Sequence, residues 1–490
     1  DLDLLLVELE LLSTGRKVFH NLHYRWMGKN HETIWINCRG RVLSDPEDGS
    51  PRYLVGCINE IGAKQKADNV SGLLGEYSLK IFYESRSPKL PQGFLLRIGI
   101  DDFKNINESH GNEYGDYILR RTAQCIEENI GPEQSLFHIV ADEFAVVDFS
   151  GGSVQQAEDL FHEIKKSIYA FIEQNQYKAV YTVSGGIVKN GDVDNSFENA
   201  MKLSEFALSE AKERGKNSCY VFEEEEYEDY LKSRTLLRQL HHAVNNGFEG
   251  FEAYFQPLVN AANGELTGAE TLLRFHSPEG GMVSPGEFIP ILEESGLIIP
   301  VGRWVLRQAL DACREWQKIL PEFKVNVNLS YVQVLKSRVL TDVRRIVDEF
   351  GVKPSSVCIE LTESGYLEEN ERFDKVWNGL KEYGVLLALD DFGTGYSNLR
   401  CLSDLKPAYI KIDRSFTLKA LNREYEYRLL NHIVEMSHSL GLHVCVEGIE
   451  TEGELTKAKQ TEPDYIQGFL FGKPCSRAEF TQKFFTKQAG

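Results

Sequence analysis

The second half of the chain repeats one pattern of hydrophobic and polar positions. From about residue 248 onward, a short apolar strand ends in a polar residue and an amphipathic helix follows. Seven such units occur, after an earlier apolar strand around Tyr254 and Phe255. Eight strands that alternate with helices are typical of a (β/α)₈ barrel. The predicted strand ends are Glu270, Asn328, Glu360, the pair Asp390 and Asp391, the segment 411–413, Glu447 and Gln467.

The first half shows two other patterns. Residues 1–62 alternate between apolar and polar positions around turn-forming residues at 46–49, which predicts a small antiparallel sheet. Within 63–225, helical segments alternate with apolar strands, which predicts an α/β domain. A run of glutamates opens an amphipathic helix, and acidic residues suit the positive end of a helix dipole. We therefore predict an α/β multidomain protein with a linker helix at 226–247 and a TIM-like barrel at 248–490.

Composition narrows the classes of function. A length of 490 residues predicts about three domains. The net charge of −20 argues against a protein that wraps duplex nucleic acid, because phosphate backbones recruit basic surfaces. Scattered cysteines without a C-x-x-C pair indicate a reducing compartment, and no apolar run approaches the roughly 18 residues of a membrane span. We therefore expect a cytoplasmic protein. Since the chain opens with Asp1 rather than Met, it is alternatively the cytoplasmic part of a longer, membrane-attached protein.

The polar strand ends predict a single site. In a (β/α)₈ barrel the carboxyl ends of the strands meet at one mouth. Five carboxylates and one amide gather there, and the carboxylates would repel one another unless something cationic lies among them. Oxygen donors without paired His or Cys favour Mg²⁺ or Mn²⁺ over zinc. The predicted metal ligands are Glu270, Asn328, Glu360, Asp390, Asp391 and Glu447.

Two further features suit attack on a phosphodiester. The adjacent Asp390 and Asp391 allow one carboxylate to bridge two ions, as a two-metal displacement requires. Lys411 is a cation at a strand end, where it is expected to orient the attacking water or to stabilise the phosphorane oxygens. The glycine-containing loop 392–397 is expected to shape and gate the site, although a tight βα turn would need the same glycines.

The motifs of this half resemble those of the EAL domain, a family of phosphodiesterases that linearise cyclic di-guanosine monophosphate (cyclic di-GMP). The likeness covers essentially all of 236–488. The name-giving motif reads Glu270, Thr271 and Leu272, so Thr replaces Ala while the metal-binding Glu remains. The other matching segments are 254–257, 288–290, 326–330, 360–364, 390–397, 411–413, 447–450 and 467–469.

The resemblance implies hydrolysis of cyclic di-GMP to linear pGpG with two divalent cations, Mg²⁺ or Mn²⁺. Calcium is expected to inhibit, because its longer bonds and looser coordination suit a two-metal displacement poorly. By analogy with EAL domains, a homodimer is expected. The resemblance gives Glu363 the task of anchoring the loop after Asp391. The implied catalytic residues are Lys411, Glu270, Asp390, Asp391 and Glu363, and the implied dinucleotide contacts are Gln256, Arg274 and Gln467.

Residues 68 to about 222 resemble a GGDEF domain, the diguanylate cyclase fold. The likeness rests on the segments 68–73, 101–107, 115–116, 141–144 and 211–217. An acidic residue that binds the catalytic metal in the family is Gly99 here. The signature glycine pair is Val140 and Ala141, whose Cβ atoms would obstruct nucleotide phosphates. The segment 131–134 also lacks both charges of the family's product-inhibition site. We therefore expect a degenerate, inactive cyclase.

Several alternatives stay open at this point. A regulatory GTP pocket would use Asn107 and Asp116 for guanine and Asp142, Lys212 and Lys216 for phosphate or metal, whereas a plain scaffold would use the same residues as solvated caps. The alternative to an active barrel is a catalytically silent cyclic di-GMP receptor that signals through partner contacts. A bifunctional cyclase and phosphodiesterase is disfavoured by the changes at 99, 140 and 141.

The first 62 residues resemble the C-terminal part of a PAS sensor domain. The resemblance rests on the order of the closing strands, with an aromatic residue and a glycine-containing turn. It implies that this segment regulates the barrel together with the inactive cyclase domain. A β-meander that binds no ligand is an equal alternative.

Overall fold

The computed structural model describes residues 2–14, 16–27, 33–45, 50–61, 67–86, 92–176, 178–190, 196–362, 371–393 and 399–486. The chain divides into two compact units, Asp1–Asp229 and Tyr230–Gly490. In the part of the chain that is described, no helix is both long enough and apolar enough to cross a bilayer.

The first unit combines a small antiparallel sheet with an α/β domain. Its elements are α1 (Leu2–Ser13), β1 (Phe19–Met27), β2 (Thr33–Ser44), β3 (Pro51–Ile61), α2 (Glu76–Arg86), β4 (Phe94–Ile100), α3 (Phe103–His110), α4 (Asn112–Asn129), β5 (Gln134–His138), β6 (Glu143–Asp148), α5 (Val154–Gln174), β7 (Val183–Lys189), α6 (Phe197–Glu213) and β8 (Cys219–Val221). A helix α7 (Glu224–Asn245) follows the predicted acidic run, and the boundary between the two units falls inside it.

The N-terminal sheet has the order β1-β2-β3 with antiparallel pairing, as the alternation predicts. The predicted turn at 46–49 lies outside the described residues. The strand-like interpretation was wrong for 2–13, which form α1. Leucine and glutamate, both strong helix formers, make up most of this segment, and Glu8 and Leu12 are buried one helical turn apart on one face.

The α/β domain is a sheet covered by helices on both faces. Its order is β5-β6-β4-β7-β8, with only β7 and β8 parallel. Because side chains alternate along a strand, Leu96 and Ile98 of β4 pack against one apolar cluster with α4 and α5, whereas Leu95 joins another with α2 and α6. The predicted strands at 94–100 and 144–147 are therefore the centre of this core.

The second unit is the predicted barrel. Its elements are β9 (Phe251–Asn260), β10 (Leu266–His276), β11 (Met282–Val283), α8 (Pro285–Ser295), α9 (Ile298–Trp316), β12 (Lys324–Asn328), α10 (Tyr331–Lys336), α11 (Val339–Phe350), β13 (Val357–Thr362), α12 (Glu371–Tyr383), β14 (Leu386–Phe392), α13 (Leu399–Leu405), β15 (Tyr409–Ile412), α14 (Arg414–Asn422), α15 (Glu424–Ser439), β16 (His443–Val446), α16 (Glu452–Lys459), β17 (Tyr465–Gln467), β18 (Cys475–Ser476) and α17 (Arg477–Phe484).

Eight strands close this barrel in the order β10-β12-β13-β14-β15-β16-β17-β9, and β9 pairs back to β10. The TIM-like barrel is thus confirmed, with one difference from a uniform repeat. β9 runs antiparallel to both of its neighbours. Only residues 261–265 separate β9 from β10, which is too short for the helical crossover that a parallel pair needs.

A buried aromatic cluster holds β9 against the outer helices. Trp316 of α9 is fully buried, its ring centroid lies 4.9 Å from that of Phe255 on β9, and it contacts Phe480 of α17. The Trp316 Nε1 atom donates a hydrogen bond to Thr481 Oγ1 at 2.8 Å. This packing fixes the strand that carries Gln256.

Candidate active site at the barrel mouth

The predicted strand-end residues are distributed over seven strands, and each lies on its strand or directly after it. Asn328 ends β12 and Gln467 ends β17, whereas Glu447 follows the last residue of β16. The prediction that its strand ends at Glu270 was wrong, because β10 continues to His276. Only 268–271 of β10 pair with β12, and the remainder extends the hairpin with β9 beyond that pairing. Apolar residues continue after Glu270, at Leu272, Leu273 and Phe275, and they belong to the same strand.

Lys411 lies at the centre of the acidic cluster. Its side chain is 2% exposed, and its Nζ atom lies 3.1 Å from Glu270 Oε2 and 2.9 Å from Glu360 Oε2. The same atom lies 3.3 Å from Asp390 Oδ1 and 2.8 Å from Glu447 Oε1. The cation that the sequence requires among these carboxylates is therefore supplied in part by the chain itself.

One ammonium does not compensate all of these carboxylates, and their pKa values reflect the shortage. Burial raises the pKa of Glu447 to about 8, and the charges of Asp390 and Glu270 add to the effect. Burial likewise raises the pKa of Glu360 well above its usual value. Burial and then the neighbouring Asp390 raise the pKa of Asp391 to about 6. Of these groups Glu447 has a pKa above neutral pH, so a cation that it ligated would displace its proton.

Glu270 and Lys411 show the opposite balance. Burial disfavours the charged form of Glu270, but Lys411 and hydrogen bonds from Gln467 and Asn328 outweigh it and lower its pKa. Burial also disfavours the charged form of Lys411, but the surrounding carboxylates outweigh it and raise its pKa well above the usual value. These two side chains form the ionised centre of the site.

The donor set fits a hard divalent cation. Glu270, Glu360 and Asp390 each place an oxygen within 4.8 Å of the other two. Asn328 Nδ2 donates to Glu270 Oε1 at 2.9 Å, which leaves the amide oxygen of Asn328 suited to a metal. Among the described residues, this converging carboxylate group contains no histidine or cysteine, which favours Mg²⁺ or Mn²⁺.

Asp390 and Asp391 lie next to each other in the chain, and side chains of a regular strand would point to opposite faces. The β14–β15 register shifts between Leu389 and Phe392, and Asp391 has a φ of 56°, so this alternation is broken. Asp391 is close enough to Asp390, Asp413 and Lys411 for their charges to shift its pKa. Asp391 therefore does not follow the alternation of a regular strand, and the carboxylates that converge within 4.8 Å are those of Glu270, Glu360 and Asp390.

The glutamines predicted to contact a dinucleotide join the same cluster. Gln467 Nε2 donates to Glu270 Oε2 at 2.7 Å and to Gln256 Oε1 at 3.2 Å. Gln467 Oε1 is buried without a hydrogen-bond partner among the described residues. Arg274 lies four positions beyond Glu270 on β10, half-buried, with its guanidinium carbon 5.6 Å from the centre of the Tyr254 ring.

Two predicted features fall elsewhere. Glu363 and the loop residues 394–398 lie outside the described residues, so the anchoring of the loop after Asp391 remains a prediction. Asp413, the last residue of a predicted strand end, caps α14 by accepting hydrogen bonds from the backbone N–H groups of Ser415 and Phe416.

Sequence reasoning missed one buried member of the cluster. Asn326 Nδ2 donates to Glu360 Oε1 at 2.7 Å, and Asn326 is 7% exposed. The available signal was its position two residues before Asn328, which places both side chains on one face of β12.

In the α/β domain, two lysines lie beside the altered cyclase motifs. A Cβ atom at Gly99 would lie 2.9 Å from Lys212 Nζ, so the lysine occupies the space above this glycine. The charge of Lys212 also acts on Asp142, whose pKa burial nevertheless raises. Lys216 Nζ binds both oxygens of Asp102 at 2.8 Å. Of the two predicted phosphate-binding lysines, Lys216 is therefore engaged in an ion pair within the chain, and Lys212 lies over Gly99.

The predicted guanine-recognition residues lie on two helices of the same domain. Asn107 is on α3 and Asp116 is on α4, and both are half-buried. A Cβ atom at Gly115 would lie 1.8 Å from Asn107 Oδ1, so the amide of Asn107 packs closely on the glycine that precedes Asp116. Ala141, in place of a signature glycine, keeps a left-handed φ of 52°.

Comparisons with known proteins agree with this architecture. Residues 237–474 match the EAL domain model, and residues 78–218 match the model for diguanylate cyclase, GGDEF domain. The bifunctional diguanylate cyclase/cyclic di-GMP phosphodiesterase MucR of Pseudomonas aeruginosa is 29% identical over 78% of this chain and 55% of its own length. The cyclic di-GMP phosphodiesterase PdeR of Escherichia coli is 29% identical over 92% of this chain and 67% of its own length.

Among solved structures, EAL enzyme Bd1971 in its cAMP and cyclic-di-GMP bound form shows a similar fold. It is 24% identical, the match covers 70% of this chain and 81% of that chain, and the TM-score is 0.50. Fold and site together define a TIM-like barrel protein with an acidic mouth, joined to an α/β domain of the cyclase type. The chain contains a GGDEF domain followed by an EAL domain. It spans about half the length of the first curated relatives that it matches.

Proposed function

We propose that the EAL barrel hydrolyses cyclic di-GMP to linear pGpG with two divalent cations, Mg²⁺ or Mn²⁺. The observation that carries the proposal is the convergence of Glu270, Glu360 and Asp390 within 4.8 Å. Relatives named as cyclic di-GMP phosphodiesterases support the same class of reaction. The proposed metal ligands are Glu270, Asn328, Glu360, Asp390, Asp391 and Glu447.

The bound ions would supply Lewis acidity that activates water and neutralises charge on the phosphodiester. The chain's own residues perform the remaining tasks. Lys411, which donates a hydrogen bond to Glu360, holds the carboxylates in place and orients the attacking water. Gln256, Gln467 and Arg274 hold the dinucleotide, and Arg274 suits a phosphate because a guanidinium donates two parallel hydrogen bonds. Glu363 is proposed to anchor the loop after Asp391.

The test is incubation of the purified chain with cyclic di-GMP and Mg²⁺ or Mn²⁺, with products separated by chromatography. Glu270→Ala should abolish hydrolysis while the circular dichroism spectrum is unchanged, because the barrel mouth carries function rather than the main core. Glu265→Ala, on the exposed turn before β10, is the matched control. Undiminished turnover by Glu270→Ala would remove this residue from the metal site, and faster hydrolysis in Ca²⁺ than in Mg²⁺ would contradict the mechanism.

The alternative is a silent receptor that binds cyclic di-GMP and signals through partner contacts. Calorimetric titration with cyclic di-GMP in Ca²⁺ measures binding apart from turnover. Saturable binding without any product in Mg²⁺ or Mn²⁺ would favour the receptor. The presence in the sequence of all six proposed metal ligands argues for the enzyme.

We further propose that the GGDEF domain is an inactive cyclase with a regulatory role. Lys212 fills the space above Gly99, and Val140 and Ala141 carry Cβ atoms where the signature has glycines. A GTP pocket that uses Asn107, Asp116, Asp142, Lys212 and Lys216 is proposed as the regulatory site. A titration with labelled GTP tests it, and no saturable binding at millimolar nucleotide would eliminate the pocket. Formation of cyclic di-GMP from GTP would show instead that the domain is an active cyclase.

The remaining proposals concern setting and assembly. The N-terminal antiparallel sheet is proposed to be part of a PAS-like sensor, and the chain is proposed to act in the cytoplasm as a homodimer. Light scattering coupled to gel filtration measures the mass of the particle. A mass near 55.7 kDa at all concentrations would exclude the homodimer.

A further inference from the structure

Strand β12 lies between the two strands that carry the central glutamates. Its neighbours are β10, with Glu270, and β13, with Glu360. Asn326 and Asn328 lie on the same face of β12, since residues two apart share a face of a strand; Asn326 is buried, and Asn328 is exposed at the end of the strand. Val325 and Val327 lie on the opposite face of the strand and pack in the hydrophobic core of this unit. One strand thus presents two amides to two carboxylates.

The two amides reach in opposite directions. In the register of the sheet, Asn326 lies level with Glu270 and Asn328 lies level with Glu360. The hydrogen bonds nevertheless cross: Asn328 Nδ2 donates to Glu270 Oε1 at 2.9 Å, and Asn326 Nδ2 donates to Glu360 Oε1 at 2.7 Å. Each asparagine therefore holds the glutamate that is not level with it.

Glu360 is held at both oxygens by this arrangement. Its Oε1 atom accepts from Asn326 and its Oε2 atom accepts from Lys411 at 2.9 Å, and the residue is fully buried. Two N–H donors, one on each oxygen, fix the plane of the carboxylate. A carboxylate that is held in one orientation is suited to ligate a metal.

Packing alone does not fix Asn326. Its side chain borders a cavity of about 20 Å³ inside the barrel, which is also lined by Cys358, Tyr409 and Lys411. Because this cavity leaves room beside Asn326, packing constrains the residue less, and the hydrogen bond to Glu360 contributes to the orientation of its amide. The amide of Asn326 thus acts mainly as a hydrogen-bond donor to Glu360.

We propose that Asn326 is a positioning residue for the metal site, which acts through Glu360 and does not itself ligate the ion. This inference rests on the proposed two-metal function of the barrel. Loss of a side chain that orients a metal ligand typically weakens metal affinity by about 10- to 100-fold. Asn326 should therefore affect the binding of Mn²⁺ and the chemical step, and leave the contacts with cyclic di-GMP intact.

The experiment measures Mn²⁺ affinity of the full chain by electron paramagnetic resonance, without substrate, for Asn326→Ala and Asn326→Leu. Leucine has the same branching and the same number of side-chain heavy atoms as asparagine but no N–H donor, so it tests the hydrogen bond if the alanine variant fails to fold. We expect the Mn²⁺ dissociation constant to rise by about 10-fold or more in both variants. With saturating Mn²⁺, kcat for cyclic di-GMP should fall while KM is unchanged.

Asn190→Ala is the matched control. Asn190 is also buried and its Nδ2 donates at 3.0 Å, but to the backbone oxygen of Asp148 in the first unit. This variant should lose stability and keep the wild-type affinity for Mn²⁺. If the Asn326 variants lose only stability and bind Mn²⁺ as the wild type does, the inference is overturned. Wild-type protein that binds Mn²⁺ but does not hydrolyse cyclic di-GMP would refute the proposed function, and the effect of Asn326 on Mn²⁺ affinity would still be decided.

Discussion

The Nζ atom of Lys411 lies 2.9 Å from Glu360 Oε2, and both side chains are enclosed in the barrel. Three more carboxylates surround the same ammonium, so the lysine is the positive centre of a negative site. A buried lysine among these carboxylates offsets their mutual repulsion and keeps them together. Several consequences of this geometry can be measured.

Lys411→Met should destabilise the protein most when metal is absent. Without the ammonium, the buried carboxylates lose their partner, and breaking a buried ion pair from one side costs roughly 3–5 kcal/mol. We expect a loss of this size in the free energy of unfolding at pH 8 in EDTA, measured with urea. Lys324→Met is the control, because the Lys324 ammonium in the same barrel contacts the hydroxyl of Tyr409. An equal loss in both variants would contradict the electrostatic explanation.

The stability of the metal-free protein should fall as the pH rises from 5 to 9. Folding raises the pKa of Asp391 from 3.8 to about 6 and that of Glu447 from 4.5 to about 8. A group whose pKa is raised on folding stabilises the protein below its unfolded pKa, and this contribution is lost as the pH passes through the folded value. Melting temperatures in EDTA across this range measure the effect.

Two additions distinguish this cause from general alkaline destabilisation. Glu447→Gln should flatten the decrease between pH 6 and 8, because glutamine does not titrate. Saturating Mn²⁺ should restore stability most strongly at pH 8, where its binding displaces the fewest protons. A pH profile that is identical in wild type and Glu447→Gln would show that Glu447 is not the group responsible.

Thr271→Val should stabilise the barrel by about 1 kcal/mol. Thr271 replaces alanine in the name-giving motif, is 2% exposed, and its hydroxyl has no hydrogen-bond partner among the described residues. Valine has the same shape without the buried hydroxyl, whose desolvation is uncompensated. Urea denaturation measures the change, and hydrolysis should be unaffected. A loss of stability would mean that the hydroxyl has a role that its surroundings do not reveal.

Ala141→Gly should stabilise the GGDEF domain by about 0.5–1 kcal/mol. Ala141 has a φ of 52°, and a left-handed conformation costs an ordinary residue roughly 1–2 kcal/mol, which the greater chain entropy of glycine partly offsets. Ala145→Gly is the control. Ala145 is buried within β6, so the same change there should destabilise the domain. Thermal unfolding of the two variants decides the point, and destabilisation by Ala141→Gly would contradict it.

The sequence predicted the barrel and the members of its acidic mouth because both depend on local information. The period of apolar strands and helices is visible along the chain, and the rule that parallel strands share one mouth then gathers Glu360, Asp390 and Glu447. The helix α1 was missed because its leucines fit a strand pattern as well as a helix pattern. The direction of β9 was missed because a generic repeat was extended over a connection too short for a crossover.

The chain alone thus determined which oxygen donors are available for the proposed chemistry, since their identity and their places near strand ends are properties of the sequence. Only the tertiary structure decided that Lys411 is the centre of the carboxylates, that Asn326 binds Glu360 and that the strand alternation breaks at Asp391. These relations depend on barrel closure, register and a break in strand alternation. Such features set distances between residues that are remote along the chain, and no local pattern encodes them.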